Sequence, residues 1–260
     1  MIDLEKARRV ATEAVTRAGE LALKHWKAAG MQARDVETKP DRSPVTAADK
    51  EAEATIRALL REEFPDHDFI GEETGALDRG AQYAWVVDPI DGTRGFTRGG
   101  KFWGGLVGLV SEGRSLAGAM ALPALGDVYA AARGLGATKN GAPLRVSNVA
   151  LWADATLSMG EMQHLFRRPD HAALMALVTT AASSRCYGDL AGCAMVLEGR
   201  AEAWIEGGVK IWDLAPLQIL IEEAGGTFTD FGGVPTIGSG EAVATNGRVH
   251  AHVLSVLRGQ

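Results

Sequence analysis

Apolar residues recur at three- and four-residue steps at the start of the chain: Leu4, Ala7, Ala11, Val15, Ala18 and Ala22. That spacing predicts an amphipathic helix over 3–27 with one stripe to bury. The polar stretch RDVETKPDRSPV at 34–45 carries two prolines and predicts a loop. Thr46, with Asp49 three residues later, approximates a capping box. It predicts a helix to about Phe64 whose apolar face is Ala52, Ile56, Leu59 and Leu60. FPDHDFIGEE then reads as a turn, a short strand at Asp68–Ile70 and a pair of acids.

From 83 to 133 the period changes. YAWVV, WGGLVGLV, SLAGAMAL and GDVYAAA are short apolar runs divided by SEGR and LPALGD, which predicts a meander of antiparallel strands. Asn140-Gly141 is a hairpin signal. Past about 150, HAALMALVTTAASS predicts a helix and RAEAWIE a strand. WDLAPLQILIEEAGG predicts a helix with Asp213 at its N-cap and Gly225-Gly226 at its end, and TFTDF another strand. The class is a layered α+β sandwich. A seam near 145–155 divides it into units 1–148 and 149–260.

Composition narrows the function. Of 260 residues, 46% are hydrophobic and 23% charged, which predicts a soluble globular protein. The net charge is −6 and no basic block occurs, which argues against nucleic acid or an anionic membrane as partner. An anionic substrate would have to be drawn in by a bound cation. The two cysteines, Cys186 and Cys193, have neither redox-motif nor zinc spacing. The opening MIDLEKARRV has no apolar signal segment, and no run reaches the length of a membrane span, so the cytoplasm is the expected location.

The candidate chemistry centres on WVVDPIDGTRGF, residues 85–96. Pro89 is expected to end the strand and let the carboxylates of Asp88 and Asp91 face one side of a turn, with the Ile90 carbonyl beside them. Such oxygens suit Mg²⁺ or Mn²⁺, although an ordinary Asp-Pro turn of solvated acids has the same letters. Gly92-Thr93 adds a permissive backbone and N–H groups able to seat an anion. Glu72, in GEETG, could ligate a metal and orient a water, or belong to a charged loop. Asp213 could hold a metal from a helix start, or serve only as a cap.

In order, GEE, WVVDPIDGT, and WD before a helix ending in AGG resemble the motifs of the inositol monophosphatase family. These are lithium-sensitive, magnesium-dependent phosphomonoesterases. The resemblance runs from the first helix through EEAGGTFTDFGG to ATN near the C-terminus. It implies the sugar-phosphatase fold, an α-β-α-β-α sandwich, and two to three Mg²⁺ ions, with Mn²⁺ as the alternative. Glu72, Asp88 and the Ile90 carbonyl would form one metal site, and Asp88, Asp91 and Asp213 a second. Glu72 and Thr93 would activate water, with Asp49 supporting Thr93, and the backbone of Gly92 and Thr93 would hold phosphate. Lys39 matches a family lysine near the metal loop. The resemblance further implies a homodimer acting on a small-molecule phosphate monoester.

Within the family, DGTRGF looks closer to the DGTRSF or DGTKSF of bacterial histidinol-phosphate phosphatases than to the DGTTNF of inositol enzymes. Asp189, in RCYGDLAG, stands where inositol enzymes show Gly-Thr-Ala. Glu206 matches a family glutamate that contacts the leaving group. Asp189 and Glu206, ordered by Arg185, would form an acidic pocket for the amine and imidazole of L-histidinol phosphate. Other readings stay open: a capping acid at 189, a surface ion pair at Arg185, an inositol-1-monophosphatase or broad sugar phosphatase, a nucleotide 3′-phosphatase using Arg94 and Arg98, or a non-catalytic metal- or phosphate-binding regulator.

Overall fold

A computed structural model describes residues 2–28, 36–38, 44–77 and 79–259. Helix α1, Leu4–Ala28, follows the predicted period. Lys39 lies outside the described residues, as does most of the segment expected to be a loop. The rest of that segment departs from expectation. Val36–Thr38 (β1) and Pro44–Thr46 (β2) pair antiparallel, with Thr38 opposite Pro44. A ribbon three residues long gives no alternation to read, and proline is tolerated at the end of an edge strand. Helix α2, Ala47–Glu63, begins at the predicted capping box on Thr46.

The meander forms one eight-stranded sheet. Its strands are β3 (Asp68–Gly71), β4 (Gly75–Leu77), β5 (Ala84–Asp91), β6 (Gly104–Ser111), β7 (Arg114–Leu122), β8 (Asp127–Ala132), β9 (Ala137–Lys139) and β10 (Ala142–Leu144). The spatial order is β10-β9-β8-β7-β6-β5-β3-β4, with only the β3–β5 pair parallel. The short helix α3, Thr93–Thr97, joins β5 to β6. Asn140-Gly141 makes the β9–β10 turn with φ of 49° and 80°, the left-handed pair a two-residue hairpin needs.

A second sheet follows a 3₁₀ turn at Trp152–Asp154. It uses β11 (Thr156–Met159), β12 (Ser183–Arg185), β13 (Ala203–Gly207), β14 (Thr227–Thr229) and β15 (Glu241–Thr245), in the order β12-β11-β13-β15-β14. Helices α4 (Met162–Phe166), α5 (His171–Thr180), α6 (Asp189–Leu197), α7 (Ile211–Glu223) and α8 (His250–Leu257) complete the chain. The helix expected over HAALMALVTTAASS stops at Thr180, and its last serines belong to β12. Alanine and serine carry no signal separating a fraying helix from an edge strand.

Side-chain alternation along β5 shows how the layers stack. Trp85 and Val87 face α1 and α2, with Val10, Val15, Ile56 and Leu60. Val86 faces the other way, into a core shared with Leu190 and Val196 of α6, Leu217 and Leu220 of α7, and Trp204 and Phe228 of the second sheet. The far face of that sheet, through Leu157 and Ile205, packs on Leu174 and Leu177 of α5 and Val253 of α8. The result is helix, sheet, helix, sheet, helix: the α-β-α-β-α sandwich expected from the resemblance. Its α6/α7 layer comes from the C-terminal half of the chain, yet covers the first sheet.

Candidate active site

The β5 strand does not end at Pro89 as expected. The ladder with β6 breaks after Asp88↔Leu106 and resumes at Asp91↔Gly104, so the proline sits in a bulge and the strand continues to Asp91. The Asp88 carboxylate accepts the Ile90 N–H at 2.9 Å, folding the bulge onto itself. Gly92 follows at φ 77°. A Cβ there would lie 2.8 Å from the Phe102 carbonyl oxygen, so both the left-handed turn and the close approach require glycine.

One hydrogen bond joins the halves of the chain at this turn, and a local cap sets the third acid. Asp91 accepts the Leu190 N–H, from the first turn of α6, at 2.7 Å. Asp213 sits three residues after Lys210, the residue before α7, and accepts its N–H at 2.6 Å. Asp213 is therefore the third helical residue, not the N-cap predicted. Its carboxylate reaches back to cap, which the letters WD do not distinguish. Carboxylate oxygens of Asp88, Asp91 and Asp213 all lie within 4.8 Å of one another. Asp88 and Asp91 are buried.

These acids oppose one another's ionisation. Asp88 is held well above the usual carboxylate range, first by burial and then by the charges of Glu72, Asp91 and Asp213. Burial also pushes Asp91 well up, followed by the charges of Asp189 and Asp213. Asp213 rises to about 7, chiefly through burial. Three converging carboxylates that cannot all ionise without a counter-charge make an all-oxygen donor set fitted to a hard divalent cation.

Asp49 has two tasks. Oδ2 accepts the N–H and hydroxyl of Thr46, at 2.7 and 2.6 Å, to close the capping box. Oδ1 faces the Thr93 hydroxyl at 3.5 Å, while that hydroxyl donates to the Ile90 carbonyl at 2.8 Å. Burial raises the Asp49 pKa against the lowering effect of the Thr46 hydrogen bonds. Glu72 follows β3 directly, its N–H bonded to the Val87 carbonyl on β5 at 3.1 Å.

A cavity of about 230 Å³ gathers Glu72, Asp88, Ile90, Asp91, Thr93 and Asp213, with Asp189 at its edge. Three further residues belong to the site that the sequence motifs do not single out. Glu161 and Lys210 line the cavity, and no motif announces either. Glu53 is buried beneath the turn that carries Glu72 and accepts the N–H groups of Glu73 and Thr74 at 2.8 and 2.9 Å. Its signal is legible in the chain: an acid four residues after Asp49, beside the apolar face of an amphipathic helix.

Two predicted substrate residues stand elsewhere. Glu206 is fully buried and does not line the cavity. It bonds the Asp189 N–H at 3.0 Å from behind, because the inward face of β13 points into the core layer. Arg185 is exposed at the end of β12 and donates to the Ser184 carbonyl at 2.8 Å, rather than pairing with Asp189 or Glu206.

The family model for the inositol monophosphatase family matches residues 3–259. The chain belongs to that family. It is 39% identical over 227 residues to a histidinol-phosphatase of Mycobacterium tuberculosis, covering 85% of this chain and 87% of the relative. It is 36% identical over 236 residues to a histidinol-phosphatase of Chlorobaculum parvum, covering 91% and 90%. Among solved structures, an inositol monophosphatase from Anabaena superposes with a TM-score of 0.86 at 28% identity, covering 99% of this chain and 97% of that one. The protein is thus a phosphomonoesterase from a metal-dependent family, and the acid cluster is where its fold gathers oxygens that could hold a metal ion.

Proposed function

We propose that this enzyme hydrolyses L-histidinol phosphate to L-histidinol and phosphate with Mg²⁺. The observation that carries the reading is Asp189. Its Oδ2 lies 3.5 Å from where a Gly92 Cβ would stand, so a carboxylate borders the turn that would hold the phosphate. A polyol leaving group needs hydrogen bonds there, not charge. An amino alcohol next to its phosphate ester gains an ion pair. The histidinol-phosphatase relatives support the same choice.

In this reading, Asp88, Asp91 and Asp213 hold the cation, with Glu72 and the Ile90 carbonyl. Once bound, the cation supplies Lewis-acid stabilisation of the phosphoryl oxygens and lowers the pKa of the attacking water. The chain's own groups do the rest. Backbone N–H groups at Gly92 and Thr93 hold phosphate oxygens. Thr93 and Glu72 orient the water, and Asp49 accepts from the Thr93 hydroxyl and fixes its rotamer. The water oxygen gives up a proton to solvent as it joins phosphorus, the P–O bond to histidinol breaks, and the departing oxygen takes a proton from solvent. Two sides of the protein's setting belong to the same proposal, a cytoplasmic location and a homodimer. No helix among the described residues is long and apolar enough to cross a membrane, and exposed Phe102 and Leu125 offer apolar area for a second copy.

The test compares kcat/KM for L-histidinol phosphate, myo-inositol 1-phosphate and a nucleoside 3′,5′-bisphosphate in Mg²⁺. A preference for histidinol phosphate of at least about a hundredfold, about 2.7 kcal/mol of transition-state discrimination, is expected. Equal rates, or a preference for the inositol ester, would overturn the substrate assignment and leave the phosphatase chemistry standing.

A further inference from the structure

The leaving-group side of the cavity contains one acid more than the sequence motifs place there. Glu161 lines the main cavity and the smaller one that continues from it toward Trp204 and Leu217. It holds φ 41° and ψ 49°, a left-handed conformation that costs a non-glycine residue energy. Asp189, on the adjoining loop, is also left-handed at φ 55°. Two acids in strained backbone thus share one wall.

The loops that carry them touch. A Cβ on Gly188 would lie 2.8 Å from the Gly160 Cα and 3.6 Å from the Glu161 nitrogen. The Glu206 carboxylate lies between the two glycines: a Cβ on Gly160 would meet its oxygens at 1.9 and 2.3 Å, and one on Gly188 would meet Oε2 at 3.1 Å. Oε2 is bonded to the Asp189 N–H, but Oε1 is buried without a hydrogen-bond partner. The indole N–H of Trp204, on the same face of β13, acts on this carboxylate without reaching hydrogen-bond geometry. The buried Glu206 carboxylate, faced by the Trp204 indole, thus sits behind both loops and braces the two cavity acids from the rear.

The acids lie at different depths. Asp189 is the foremost charge acting on Asp91 and also acts on Asp213. Glu161 acts on Asp189 and Glu206 but is exposed, farther out. The cations that line the cavity, Arg94 and Lys210, lie in the chain next to Thr93 and three residues before Asp213. Histidinol phosphate has the same order of groups. Its ammonium-bearing carbon is bonded to the ester carbon, and the imidazole hangs one methylene farther away.

We propose that Glu161 is a specificity-determining residue, holding the imidazole of histidinol phosphate while Asp189 holds the ammonium. Glu206 is a positioning residue behind both. This rests on the histidinol-phosphatase reading and assigns each basic group its own carboxylate.

The experiment measures wild type, Glu161→Gln, Glu161→Asp and Asp189→Asn on histidinol phosphate, on 2-aminoethyl phosphate (an ammonium without an imidazole) and on myo-inositol 1-phosphate. The readout is the ratio of kcat/KM for histidinol phosphate to that for 2-aminoethyl phosphate. Both values come from one preparation, so loss of folded enzyme cancels. In Glu161→Gln the ratio falls by about tenfold, expressed in KM more than kcat, as expected for loss of one charge-assisted contact. Glu161→Asp recovers part of it. Asp189→Asn weakens both amines and leaves the ratio near that of wild type. An unchanged ratio in Glu161→Gln, or a ratio that responds to Asp189→Asn instead, overturns the assignment of Glu161 alone. A wild type that prefers inositol 1-phosphate to histidinol phosphate overturns the functional reading and this one with it.

Discussion

Asp213 combines a structural bond with a charge, and the two can be separated. Its carboxylate caps Lys210 and also converges on Asp88 and Asp91. In Asp213→Asn the amide oxygen still accepts the Lys210 N–H, so the helix start survives while one repelling charge disappears. The metal-free variant should melt a few degrees higher than wild type, and kcat/KM should fall by about a thousandfold or more. Saturating Mg²⁺ should raise the wild-type Tm by roughly 5–10 °C, from about 2.7 kcal/mol of linkage at a hundred times Kd, and should barely move that of the variant. Thermal melts with and without Mg²⁺ read both effects. An equal Mg²⁺ response in the two proteins would remove Asp213 from the metal site. Thr93 offers a second handle. Thr93→Val keeps the branched shape and removes the hydroxyl that lies between Ile90 and Asp49. A loss of about a hundredfold in kcat with little change in KM is expected.

The site depends on elements that the chain folds locally. The β5 bulge turns Asp88 and Asp91 toward a common side, and the turn after β3 presents Glu72. That second turn hangs on Glu53, whose two oxygens each take one N–H from Glu73 and Thr74. Glu53→Gln leaves one acceptor for two donors. The expected cost is roughly 1–3 kcal/mol of stability. The Mg²⁺ concentration giving half-maximal activity should also rise several-fold as Glu72 loosens. Activity titrated against Mg²⁺ checks this, and an unchanged midpoint would make Glu53 a core residue with no part in the site.

At the scale of the whole molecule, stability has its own pH lever away from the active site. His250, at the start of α8, is enclosed between Thr229 and Thr245, with ring nitrogens 3.2 and 3.1 Å from their hydroxyls. Burial, and then Arg258, lower its pKa to about 4. The unfolded chain takes up the proton near 6.5 and the folded chain only near 4, so this stabilisation is complete above about pH 6.5 and drains away as pH falls toward 4. Wild-type Tm should drop by roughly 3–6 °C more over that window than Tm of His250→Gln, by calorimetry. A parallel decline in both proteins would clear His250 of the effect.

Patterns carried by neighbouring residues are legible in the chain itself. The 3.6-residue period of α1 and α2, the capping box at Thr46, the Asn140-Gly141 hairpin and the alternating meander each depend on a few adjacent positions, and local backbone energetics suffice to set them. The motif acids are legible as a set because their types and order match one chemistry. What each acid touches is decided by packing. Glu206 belongs behind Asp189 because its strand face turns into the α6/α7 layer. Arg185 stays outside because β12 is an edge strand. Glu161 enters the cavity only where Gly160 packs against Gly188, and Lys210 lines it from the start of α7. Such contacts join positions tens of residues apart through burial and close approach, which no local pattern encodes. Adjacent letters were enough for the fold class, the family and the acids Asp88, Asp91 and Asp213 that converge, whereas which carboxylates line the cavity followed only from packing between distant segments.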